Sequence, residues 1–395
     1  MSFSRSAPRF ILSVLTSFVL LTSLACIDVS AELGAADTTT RTFTESFPAT
    51  GEVRLANLAG SVVLVAGTGS EITVEATVHA EGRDAAETER LLQSLSWVAA
   101  KDGKGWALSY PTGDYRGFHY AGREGGSFFG WGGQTTSKYQ GERVSIYGKR
   151  RARVPTLYAD LEITVPRGSA LAVRNVVGEV AGGDLTIASL TVDTGSGAVR
   201  LADVDGDLAV DTGSGHVELG QVRGDLHVDT GSGHVQVAGL TGNGTIDTGS
   251  GHIDVTRIDA DELELDTGSG HIQVSGGRAD RVRADTGSGG IVLADVDVVE
   301  LEADTGSGGV EVTSSLARAE RIDVDTGSGG VTITGGPDAS FDFRADLGSG
   351  QVSVGYDDAD LIRDGRKLVG ARRGDGRTVI RVDTGSGGAS LSPGR

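Results

Sequence analysis

From residue 193 onward, short runs of alternating apolar and polar residues return at a nearly constant interval. Leu226-His227-Val228-Asp229 and Leu263-Glu264-Leu265-Asp266 place apolar side chains on one face and polar ones on the other, the period of a half-buried strand. Each such run leads into Asp-Thr-Gly-Ser-Gly, and a second alternating run follows, as in His216-Val217-Glu218-Leu219, His234-Val235-Gln236-Val237 and His252-Ile253-Asp254-Val255. The pentapeptide starts at Asp193, Asp211, Asp229, Asp247, Asp266, Asp285, Asp304, Asp325 and Asp383, and Asp346 opens the variant Asp-Leu-Gly-Ser-Gly. Along the chain the copies are spaced by 18, 18, 18, 19, 19, 19, 21, 21 and 37 residues. A fixed period of this length marks stacked repeats. Each repeat reads as strand, turn, strand, Gly-rich turn, which is one coil of a β-solenoid. The predicted fold class is all-β: a single-stranded parallel β-helix of about a dozen 18–21-residue coils.

The inward positions follow from the alternation. One coil offers Val217, Leu219, Val222, Leu226 and Val228, the next Val235, Val237, Leu240 and Ile246, and the third Ile253, Val255, Ile258, Leu263 and Leu265. Each such aliphatic contributes ~1.5–3 kcal/mol when buried, which offsets the ordering of a short repeat only when neighbours cover both sides. Residues 38–81 show the same strand pattern and predict one or two degenerate first coils. Residues 82–155 break it. Asp84 and Glu87 form a capping box, and Leu91, Leu92 and Leu95 share a face, so a helix is expected over 84–96. A Gly-rich stretch then carries half of the chain's aromatic residues between Trp106 and Tyr147. It is read as a loop folded into a small satellite core, or as an exposed surface on which Tyr120, Phe128, Phe129 and Trp131 meet a partner. From 156 to 395 the solenoid register is expected to run to the C-terminus, with a hairpin-like stretch over 356–377.

At the other end, Arg5 and Arg9 precede a largely apolar run from Phe10 to Leu24, too short for a membrane span and suited to an export signal. Cleavage after Val29-Ser30-Ala31 gives a signal of residues 1–31. The alternative is a lipobox-like Ser23-Leu24-Ala25-Cys26, ending the signal at residue 25 and lipidating Cys26. Cys26 is the single cysteine, so no internal disulfide can form. The formal charge of -19 keeps a long surface soluble and argues against nucleic acid as a partner; a membrane enters only through a lipid anchor.

Three constellations could carry chemistry. Asp-Thr-Gly-Ser is the spelling around an aspartic protease's catalytic carboxylate, but that chemistry needs two aspartates sharing one cleft, not a row of copies. The row itself, with Asp211, Asp229, Asp247 and Asp266 at its centre, accumulates repulsion of about 1 kcal/mol per neighbouring pair even in bulk water. Either each carboxylate is satisfied by the amides of its own turn, or calcium bridges adjacent ones. His216, His234, His252 and His271 follow the motif in four successive coils and point outward; they form a solvated ladder or a zinc site. Apart from calcium at the aspartates, or zinc or copper at the histidines, no cofactor is expected.

Tyr158-Ala159-Asp160-Leu161-Glu162-Ile163-Thr164-Val165-Pro166-Arg167-Gly168, followed by Val173-Arg174-Asn175-Val176-Val177-Gly178-Glu179-Val180, resembles the opening segment of the toast-rack family of adhesin-like bacterial envelope domains of unknown function. The Gly-Ser-Gly coils are similar to its repeats, over roughly residues 42–392. The resemblance implies a parallel β-helix, export or membrane tethering, links to envelope-stress signalling in some members, and no established catalytic residues. The expectation is a non-enzymatic protein of the periplasm, cell envelope or extracellular space, an adhesin or structural surface whose partner is an envelope protein or glycan. The alternatives are an envelope-stress sensing component and a carbohydrate-active β-helix enzyme of the polysaccharide-lyase kind.

Overall fold

Within each coil, the short aliphatic runs form strands that pair in parallel with the equivalent run of the neighbouring coil. In the computed structural model, which describes residues 38–120, 122 and 133–394, this register is continuous. Leu226 pairs with Leu208 and Gly244, and Asp229 with Asp211 and Asp247. A second set of rungs runs through Val217, Val235 and Ile253. A third, through Val222, Leu240 and Ile258, was absent from the expected two-strand repeat. The coil therefore has three parallel segments. In Ile253–Thr267, Ile272–Thr286 and Ile291–Thr305 the segments merge into one bent strand that traverses the whole coil. Every inward aliphatic named above is buried, and the described core is one continuous cluster. The fold is all-β, with one helix among the described residues.

Both ends depart from chain order. At the N-terminal end, Glu52–Ala59 lies on Ala170–Val177 in parallel register, with Asn57 over Asn175. This is a first coil in the sense expected. Glu71–Glu81 instead pairs antiparallel with Thr39–Pro48 and with Thr156–Pro166, and Thr156–Pro166 also pairs in parallel with Val62–Gly67. The helix runs over Ala85–Ser94, and Asp84 accepts the Glu87 amide at its N-cap at 2.8 Å. Its Leu91 and Leu92, with the following Leu95, are buried.

At the C-terminal end the expected sequential register does not hold. Thr378–Thr384 is inserted between Arg321–Thr326 and Phe341–Leu347, pairing in parallel with both. Ala389–Pro393 is likewise flanked by Val331–Gly335 and Val352–Val354. In space the aspartates run Asp325, Asp383, Asp346, although Asp383 comes last in the chain. The intervening Asp360–Asp364 and Lys367–Arg373 form the expected hairpin, and Lys367–Arg373 covers the outer edge of Phe341–Leu347 in antiparallel register. The Asp346 copy, with Leu347 in place of threonine, is thus the outer rung, and the Asp383 copy, with the full motif, lies inside it.

Candidate functional site

The repeated turn is held from inside, by threonine. Thr194, Thr212, Thr230, Thr248, Thr267, Thr286, Thr305, Thr326 and Thr384 occupy the inward position next to each aspartate and are at most 1% exposed. Thr267 Oγ1 accepts from the Gly270 amide at 3.0 Å and donates to the Gly251 carbonyl of the preceding coil at 2.9 Å. The same pair of bonds recurs at Thr248, Thr286, Thr305, Thr326 and Thr384. Thr194 and Thr212, near the start of the array, are buried with unpaired hydroxyls. Beyond them the line continues as Asn175, which donates to the Gly60 carbonyl, and Asn57, which accepts from Tyr110 Oη at 2.8 Å. The coils stack so closely here that a Cβ at Gly251 would lie 1.7 Å from the Gly233 carbonyl oxygen, so only glycine fits.

The aspartates are thus not the turn-satisfying groups they were expected to be. They point outward in one column, in register from Asp193 to Asp325 and on through Asp383 and Asp346. Partial burial and then the charges of Asp285 and Asp247 push the Asp266 carboxyl above its ordinary value; Asp304 is raised by burial and by Asp285 and Asp325. At the N-terminal end, Arg174 takes the aspartate position and lies 3.5 Å from Asp193. A neighbouring column alternates in sign, with Arg281 between Glu262 and Glu300.

His216, His234, His252 and His271 form the expected outward ladder, with ring centroids 5.1, 4.8 and 5.1 Å apart and planes within 6–17° of parallel. Each ring is also tied to the next coil. The His234, His252, His271 and Gly290 amides donate to the preceding Nδ1 at 3.2, 3.0, 2.9 and 2.8 Å. Nδ1 is therefore the unprotonated nitrogen, and its lone pair, which a metal would need, is committed to the backbone. Face-to-face rings also keep equivalent nitrogens on parallel lines instead of converging them. Among the described residues no group of three or more His, Cys, Asp or Glu is placed to hold a metal ion. Burial, then His252 and His216, lower the pKa of His234.

The aromatic insertion divides in two. Tyr110, Phe118 and Tyr139 are buried, with Tyr110 and Tyr139 in edge contact at 5.7 Å, and they join the solenoid core in one cluster instead of forming the separate satellite core expected. Tyr120, read as an exposed partner-binding residue, is 4% exposed and packs on Tyr158 at 4.9 Å; it belongs to that core. Phe128, Phe129 and Trp131 lie outside the described residues, as do Cys26 and the export signal. No helix among the described residues is long and apolar enough to cross a membrane.

Residues 224–392 match the family model described as Toastrack DUF4097. No curated protein matches the chain. A solved structure described as a "putative cell adhesion protein" from Clostridium sporogenes is 10% identical, covering 90% of this chain and 100% of its own, with a TM-score of 0.16. A likeness that low carries no argument about fold or function.

Proposed function

We propose, from the match of residues 224–392 to the Toastrack DUF4097 family model, that this chain is a non-enzymatic, exported envelope protein that presents a rigid interaction surface, adhesin-like in character. The observation that carries this reading is the aspartate column. Its rungs present the same group at the strand spacing of ~4.8 Å, flanked by a column of alternating sign. A surface of that kind suits a repetitive partner, such as an envelope glycan or a protein array. Many weak, equivalent contacts add through avidity. Catalysis would instead need one rung set apart by an acid, a base and a groove, and the repeated faces offer near-copies of one another.

The test is binding of the purified protein to isolated cell-envelope material and to defined polysaccharides at low and high salt. Attachment that weakens with salt, and weakens further when Asp247, Asp266 and Asp285 are together changed to asparagine, supports the reading. Attachment indifferent to that triple change removes it. Polysaccharide cleavage abolished by a single substitution would favour the carbohydrate-active alternative.

A further inference from the structure

Four arginines of this acidic chain line one cavity away from the repeats. Where Glu71–Glu81 ends, Gly82 and Arg83 turn into the helix Ala85–Ser94, and residues 148–155 lead into Thr156–Pro166, which pairs Thr156 with Glu81. Between these segments is a cavity of about 200 Å³ whose lining includes Arg83, Arg150, Arg151 and Arg153 against two carboxylates, Glu81 and Glu87.

Both carboxylates are already paired with arginines of the cavity. Glu87, 2% exposed, accepts from the Arg83 amide at 2.6 Å, from Arg83 Nε at 2.9 Å and Nη2 at 3.1 Å, and from Tyr115 Oη at 2.7 Å. Those bonds, the Arg83 side chain first, hold its pKa down to about 2. Glu81 receives both terminal nitrogens of Arg150. These pairs orient Arg83 and Arg150 and still leave each guanidinium with N–H donors to spare. Arg151 is held over the Tyr147 ring at 4.5 Å and forms no ion pair among the described residues. Arg153 adopts φ 69°, in the left-handed region that non-glycine residues seldom enter. Within a chain of formal charge -19, the cavity thus carries two cations in excess of its anions and a set of unsaturated, fork-shaped donors.

We propose that this cavity binds a phosphate-class oxyanion, a phosphomonoester or phosphodiester group, with Arg151 and Arg153 as its direct ligands and Arg83 and Arg150 as donors pre-oriented by Glu87 and Glu81. A guanidinium matches such an oxyanion with two parallel N–H bonds, and the volume accommodates the group with part of its substituent. The site is independent of the aspartate column and goes beyond the proposed envelope surface. The source is either a soluble phosphate ester or an anionic lipid headgroup, and the same donors serve both.

The buried His119 provides a reporter. Its pKa is lowered by burial and then by Arg150, with Glu81 opposing. An anion at the cavity offsets the Arg150 field and raises it.

The experiment is titration of the purified protein with inorganic phosphate and with glucose 6-phosphate at constant ionic strength, using acetate as the control anion. It is read by calorimetry and by the His119 imidazole resonance. Arg151→Gln and Arg153→Asn serve as the variants, because neither residue is in an ion pair and asparagine tolerates the left-handed backbone. Arg363→Gln, on the distant hairpin, is the control. The expected result is saturable phosphate binding, an upward shift of the His119 pKa, and affinity about tenfold or more weaker in each site variant but unchanged in the control. Wild-type melting temperatures in the variants exclude misfolding. Phosphatidylglycerol vesicles are the second arm: binding that phosphate competes away assigns a lipid headgroup, and binding of soluble esters alone assigns a soluble ligand. No saturable phosphate effect, or one that both site variants retain in full, overturns the proposal.

Discussion

Replacing Thr267 by valine isolates the internal threonine array. Valine has nearly the same shape, so no cavity opens, but both Oγ1 bonds are lost. The Gly270 N–H and the Gly251 C=O are then left buried and unpaired. An orphaned buried polar group costs ~1–3 kcal/mol, so with two of them Thr267→Val is expected to destabilise by about 2–6 kcal/mol. Thr267→Ser keeps both bonds, loses one methyl group, and costs about 1 kcal/mol. Thr212→Val is the internal control. That hydroxyl is buried without a partner, so its removal is neutral or stabilises by up to about 1 kcal/mol. Equilibrium urea unfolding measures the differences, and amide exchange at Gly270 locates them, because its N–H loses protection only in the valine variant. Equal losses at Thr267 and Thr212 would refute the hydrogen-bond argument and leave simple packing as the source of the array's stability.

Other consequences are as direct. The folded pKa of His234 is depressed, so the unfolded chain takes up more protons as pH falls through its ordinary value near 6.5. Stability should therefore drop between about pH 7.5 and 5.5, and His234→Gln should remove part of that dependence in thermal melts. The aspartate column has the opposite sign. Asp266 is raised in the folded state, so its cost is fully present at neutral pH and is relieved as pH falls through the raised value. Asp266→Asn should raise the melting temperature at pH 7, and the gain should shrink in high salt and at pH 3.5. Gly251→Ala, which drives a Cβ into the Gly233 carbonyl, should cost about 3 kcal/mol or more, whereas Gly51→Ala, with open space around it, should be near neutral in the same unfolding assay. Finally, the inserted C-terminal coil predicts that an Asp325→Cys/Asp383→Cys pair, on adjacent rungs, oxidises to a disulfide. An Asp325→Cys/Asp346→Cys pair, two rungs apart at ~10 Å, stays reduced by free-thiol titration.

The periodic sequence by itself determined the class of the fold, the rung register and the inward aliphatics, because a side-chain period of two and a coil period of 18–21 residues admit few other ways to bury Val217, Leu219 and their counterparts. The threonine ladder was also legible in that alternation. With Val228 inward and Asp229 outward, Thr230 must turn inward, and it is this residue, not the charged aspartate, that holds the turn. Tertiary structure alone decided what depends on contacts between residues far apart in sequence. It placed the Asp383 coil between those of Asp325 and Asp346, since near-identical repeats carry little information about which rung is next. It buried Tyr120 against Tyr158, because aromatic content does not tell a core from a binding surface. It also brought Arg150, Arg151 and Arg153 to Glu81 and the helix start, where they form the wall of a cavity.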